Sequence, residues 1–203
     1  EKSTITVGDG ANSITVGGTE STLVTGNGNN TITASGSSST ITVGDGANSI
    51  TVDGTESTLV TGGGNNTITV SGSSSTITTG DGNNTVDVKG NYVTIKTGSG
   101  TDTIRITGSN ANVNTGDGSD NITVNGANAK VDSGNDYDRI TVSGANAEIK
   151  TGSGNDYITI SSTATDSIIN AASGNNTIIS SATNSNITVG DADNNITLNG
   201  NNS

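Results

Sequence analysis

Aliphatic residues recur in this chain every nine positions. The series runs Ile5, Ile14, Leu23, Ile32, Ile41, Ile50 and onward to Ile140, Ile149 and Ile158 without a missed beat. Two ten-residue steps then lead to Ile168 and Ile178, and steps of nine resume to Ile187 and Ile196, which makes twenty-two units. Around each aliphatic residue the pattern alternates, as in Thr4-Ile5-Thr6-Val7 and Asn121-Ile122-Thr123-Val124. Apolar side chains at i and i+2, with β-branched neighbours between them, predict a short strand with one buried face. Turn residues follow the strands, as in Gly8-Asp9-Gly10, Gly26-Asn27-Gly28 and Gly98-Ser99-Gly100. The period, the glycines and the shortage of Ala, Leu, Glu and Lys exclude helix.

Alternate units differ, so the true period is eighteen. Odd units read T/V-G-x-G-x-[N/D]-x-I-x-V. They place Asn12, Asn30, Asn48, Asn66, Asn84, Asp102, Asp120, Asp138, Asp156, Asn176 and Asn194 at one position. Even units read G-x-x-[S/A]-x-[I/V/L], with Ser21, Ser39, Ser57, Ser75, Ala111, Ala129 and Ala147 at the matching place. One coil is then two strands and two unlike turns. The expected fold is all-β: a parallel β-solenoid, β-roll-like, of about eleven 18-residue coils in two parallel sheets with uncapped ends. At ~4.8 Å per coil the rod is on the order of 50 Å long. Outward charges support the coil length. Residues eighteen apart become neighbours, and Asp87/Arg105, Lys130/Glu148 and Asp132/Lys150 are all opposite in sign.

The whole chain, 1–203, reads as one solenoid domain. Residues 3–38 and 39–74 are near-identical 36-residue blocks that differ at Gly17/Asp53, Asn27/Gly63 and Ala34/Val70. Residues 75–158 are diverged coils that keep the phase, and 159–203 are irregular C-terminal coils.

Composition alone points toward disorder, since only 27% of the 203 residues are hydrophobic and 1% aromatic. A phase preserved through the diverged half argues for order instead. A thin two-sheet slab has no room for Trp or Phe, and uninterrupted ladders exclude Pro. Cys and His are absent. That rules out zinc fingers, haem ligation, a Cys nucleophile and a Ser–His–Asp triad. Seven Lys and Arg against nineteen Asp and Glu, a net charge of −12, argue against nucleic acid and anionic membranes as partners. No apolar run approaches the ~18 residues of a membrane span. No catalytic constellation is present, so the expectation is a non-enzyme.

The odd unit resembles the calcium-binding nonapeptide of the RTX (haemolysin-type) family, G-G-x-G-x-D-x-U-x. The matches are Gly98-Ser99-Gly100-Thr101-Asp102-Thr103-Ile104, Gly116-Asp117-Gly118-Ser119-Asp120-Asn121-Ile122 and Gly152-Ser153-Gly154-Asn155-Asp156-Tyr157-Ile158. A looser one is Gly134-Asn135-Asp136-Tyr137-Asp138-Arg139-Ile140. The resemblance implies a parallel β-roll with calcium between stacked turns. The ligands it implies are Asp102, Asp120, Asp138 and Asp156, with the turn carbonyls of Gly100, Gly118 and Gly154. Departures are plain: the family's first Gly is usually Thr or Val, even units lack the motif, and coils 1–5 carry Asn for Asp. Stacked Asn amides make a hydrogen-bond ladder instead. Four carboxylates ~5 Å apart repel unless a cation or protons intervene.

Three functional expectations result. The first is an extracellular or cell-surface structural protein, a filament subunit or stalk built by head-to-tail stacking of copies through in-phase, uncapped ends. The second is a calcium-dependent RTX-like adhesin or secreted-protein module. The third is ice binding through the outward rows Ser13-x-Thr15, Thr31-x-Thr33, Ser49-x-Thr51 and Thr67-x-Thr69 on one sheet. Thr is also simply a soluble strand residue, and the rows fail beyond coil 4.

Overall fold

The structure, a computed structural model, describes residues 1–200; the last three residues of the irregular stretch lie outside it. It is a parallel β-solenoid. Twenty-two strands, numbered β1 to β22 in chain order, alternate between two sheets of eleven strands each. β1 (Thr4–Val7) lies beside β3 (Thr22–Thr25), and β2 (Ser13–Val16) beside β4 (Thr31–Ala34), all in parallel. Thr4 faces Thr22 and Ser13 faces Thr31, so a coil is eighteen residues. Among the described residues there is no helix.

Alternation does the folding. In β6 (Ser49–Val52) Ile50 and Val52 are buried, while in β7 (Thr58–Thr61) Leu59 and Thr61 are. The two sheets thus bring small aliphatic side chains together across a thin interior. Aliphatic residues stack on aliphatic residues of the next coil, as in Ile50↔Ile68 and Val86↔Ile104, although Ile160 lies over Ser180. The outward charges pair as the eighteen-residue spacing demands. Lys130 Nζ lies 2.8 Å from Glu148, Lys150 Nζ 2.8 Å from Asp132, and Arg105 3.3 Å from Asp87.

The irregular region differs from expectation. β17 (Glu148–Ser153) pairs with β19 (Ile168–Ser173) through Ile149↔Ile169, and β18 (Tyr157–Ile160) with β20 (Thr177–Ser180) through Ile158↔Ile178. Both offsets are twenty. There is one two-residue insertion, in the turn after β18, rather than two separate single insertions. Ile169 is fully buried and Ile168 is 50% exposed, the reverse of the phase read from the sequence. The turn closes with Ala164 N–H donating to the Ser161 carbonyl, and it tucks Ala164 inside. The inner face goes to the isoleucine that continues the Ile149 row.

Candidate functional site

The side-chain feature that runs the length of the coils is the Asn/Asp column at the odd turns. These residues point inward: Asn30, Asn48, Asn66 and Asn84 are each 1% exposed. The strand that follows each one fixes its height, because Ile32, Ile50, Ile68 and Val86 are stacked in register. Each backbone N–H donates to the Oδ1 of the next coil: Asn30 to Asn48 at 2.9 Å, Asn48 to Asn66 at 3.2 Å, Asn66 to Asn84 at 3.1 Å. Each Nδ2 spends its hydrogens on oxygens around it. Asn48 donates to the Gly46 carbonyl at 3.0 Å and to Asn66 Oδ1 at 2.9 Å. The column therefore satisfies turn groups that burial has cut off from water.

The glycines of the same turns permit this closeness. A Cβ built on Gly46, whose φ is +134°, would sit 2.4 Å from the Gly28 carbonyl oxygen. On Gly118, at φ +131°, it would sit 2.0 Å from that of Gly100.

Asp102, Asp120, Asp138 and Asp156 occupy the same column, and none is more than 2% exposed. Their backbone links continue those of the Asn coils without a break. Asn84 N–H donates to Asp102 Oδ1 at 2.7 Å, Asp102 to Asp120 at 2.8 Å, and Asp120 to Asp138 at 2.9 Å. The run closes with Asp138 to Asp156 at 3.0 Å and Asp156 to Asn176 at 2.9 Å. The second oxygen differs. Where Asn has an NH2 group, Asp has Oδ2, and Oδ2 of Asp102, Asp120 and Asp156 is buried without a hydrogen-bond partner. Asp138 Oδ2 accepts from the Ser133 hydroxyl at 2.5 Å.

Ser133 belongs to a row that sequence reasoning missed. A hydroxyl residue stands five positions before every column Asp: Thr97, Thr115, Ser133 and Thr151. All four are fully buried. The Thr97 and Thr115 hydroxyls donate along the axis, to the carbonyls of Thr115 at 2.7 Å and Ser133 at 2.9 Å. The row extends into the Asn units at Thr25, Thr61 and Thr79, five before Asn30, Asn66 and Asn84, whereas Asn12, Asn48, Asn176 and Asn194 have Val7, Val43, Ala171 and Val189 there. Every Asp has a hydroxyl at this place, and only some Asn do.

Burial pushes all four carboxyls above the ordinary Asp value, Asp120 to about 6 and Asp138 to about 7. Backbone N–H groups donating to Oδ1, and the Ser133 hydroxyl at Asp138, oppose the rise. Like charge adds to it, from Asp102 on Asp120 and from Asp120 and Asp156 on Asp138.

Calcium takes about six to eight oxygens, several of them anionic. The column does not gather such a set. Each coil brings one carboxylate, whose Oδ1 already receives a backbone N–H. Among the described residues no three acidic side chains converge. The turns stay as tight here as in the Asn coils. The Gly100 carbonyl abuts Gly118, and a Cβ on Gly174 would lie 1.9 Å from the Gly154 carbonyl oxygen. Gly118 itself donates its N–H to the Asn135 carbonyl at 3.2 Å. These residues fit a hydrogen-bond column and do not fit a calcium cage. Asp117 and Asp136, in the same turns, are exposed.

The Thr rows are in register, with Thr31↔Ser49↔Thr67 and Thr33↔Thr51↔Thr69. They run into Asp87 and Arg105 on the same sheet. Arg139 instead covers the ring of Tyr157, 5.2 Å from its centroid.

No protein-family model, no curated protein and no solved structure matches this chain. Of the RTX resemblance, the structure supports the parallel solenoid of eighteen-residue coils.

Proposed function

We propose that this chain is a non-enzymatic structural rod that lengthens by adding coils of its own kind at its strand edges. One observation carries the reading: coil stacks on coil in register, one of them lengthened to twenty residues, and each presents the same kind of parallel strand edge to the next. An in-register parallel edge of this kind is a template for another coil. Copies of the chain carry the same cross-section. Stacked head to tail, they form a heterologous contact that propagates rather than closes.

Sedimentation and negative-stain electron microscopy over a concentration series test the proposal. The expected result is rods of constant width whose length grows with concentration. Particles that keep the length of one chain at the highest concentration would overturn it.

A further inference from the structure

The Asp segment of the column lacks hydrogens. In the Asn coils Nδ2 supplies hydrogens to the turn Gly carbonyl and, at Asn48 and Asn66, to the Oδ1 of the next coil. Only hydroxyls there, those of Thr25 and Thr79, are buried without a partner. In the Asp coils Oδ2 replaces that NH2 group and is an acceptor only; at Asp102, Asp120 and Asp156 it is buried with no donor against it. Thr97 and Thr115 do not fill the gap, because a hydroxyl has one hydrogen and theirs goes to a carbonyl one coil on. Thr151 Oγ1 is itself buried without a partner, five residues before the equally orphaned Asp156 Oδ2. Four buried groups thus point into one column that is short of donors.

We propose that the Asp102–Asp156 column is completed by protons held on its carboxyl groups, rather than by a metal, so that each protonated Asp does the work of an Asn. The proton on Oδ2 takes the place of an Nδ2 hydrogen. Its acceptors are the hydroxyl oxygen five residues earlier and the turn carbonyls. Ser133 is at hydrogen-bond distance from Asp138, and Thr97, Thr115 and Thr151 stand at the same place beside Asp102, Asp120 and Asp156. The charged groups that act on the column are its own members, Asp102 on Asp120, and Asp120 and Asp156 on Asp138. Asp117 and Asp136 sit in the same turns but face solvent, and the salt-bridged Lys130 and Lys150 lie on the outer face of a sheet.

The direction of the pH effect follows. The folded-state affinity of these carboxyls for protons exceeds that of the unfolded chain. The stabilisation is therefore fully present below the unfolded carboxylate range. It drains away as pH rises through about 6 at Asp120 and about 7 at Asp138. Residues 98–158 become the section of the rod that loosens as pH rises to neutrality and above.

The test compares the full chain with the double variant Asp120→Asn/Asp138→Asn, by thermal unfolding from pH 5 to 8.5 in EDTA and in millimolar calcium. Infrared spectroscopy of the folded proteins adds a direct readout, since only a protonated carboxyl gives the acid C=O stretching band. The expected result is a Tm of the parent that falls by several degrees across this range, a nearly flat profile for the variant, and no effect of calcium on either. An acid band present in the parent at pH 6 and reduced in the variant completes it. A parent without that band whose Tm rises with calcium would overturn the proposal, as would an equal pH dependence in both proteins.

Discussion

At the scale of the residue, the column decides what can be changed. Asn66 Oδ1 serves both the N–H and the Nδ2 of Asn48. Asn66→Leu keeps an apolar filling and leaves those donors without an acceptor in a dry interior. Stranding buried donors costs about 1–3 kcal/mol, read as a lower urea midpoint. Gly118→Ala meets two obstacles, a φ of +131° and the Gly100 carbonyl 2.0 Å from the new methyl group. Strain of this kind costs about 1–3 kcal/mol before the neighbouring coil shifts, so its urea midpoint falls as well. A Gly8→Ala control has open space around the Cβ and no positive φ, and is expected to be near neutral. The Asn/Asp column was legible in the sequence as a position shared by odd units. Its burial was not, because a polar residue beside glycines reads equally well as a solvent-facing turn. The hydroxyls Thr97, Thr115, Ser133 and Thr151 five residues earlier do not decide it either, because Thr25, Thr61 and Thr79 stand at the same place before Asn30, Asn66 and Asn84.

At the scale of the element, strands and coil length followed from the alternation and from the charge pairs, because side-chain period in a strand leaves no freedom. The lengthened coil did not follow. Ile168 and Ile169 are adjacent, either can face inward, and only the pairing of whole strands chooses between them. The even turns carry a second lesson. Each has one residue in the left-handed region, and the early turns place Glu20, Ser38, Glu56, Ser74 and Tyr92 there with φ of 52–58°. Later turns place Asn110, Asn128, Asn146 and Asn184 there instead, a residue that visits this region at less cost. Glu56→Asn is therefore expected to stabilise the protein by up to ~1 kcal/mol. Chemical denaturation at fixed pH would show it as a raised midpoint with an unchanged slope.

At the scale of the molecule, stability is a sum over coils and their interfaces. Deleting residues 57–74 removes one whole coil and joins Glu56 to Ser75, which takes the place of Ser57. That variant is expected to keep the β-type circular dichroism and cooperative melting of the parent, at a slightly lower Tm. Deleting 57–65 removes half a coil. It brings the Asn column onto the Ser column at Ser39 and exchanges the two sheets for every later strand. A broad transition at much lower temperature is the expected outcome. Nine residues are the visible beat of the chain, but eighteen are the unit that can be lost or gained.

The backbone-to-Oδ1 links of the column all run one way, with the N–H on the earlier coil and the oxygen on the later one. Injury therefore has an upstream side. Loss of the Asn66 side chain leaves the Asn66 N–H still held by Asn84 and strips the coil of Asn48. Amide hydrogen exchange in such a variant should quicken at Asn48 and stay slow at Asn66. Fraying from the lesion would travel toward the amino terminus.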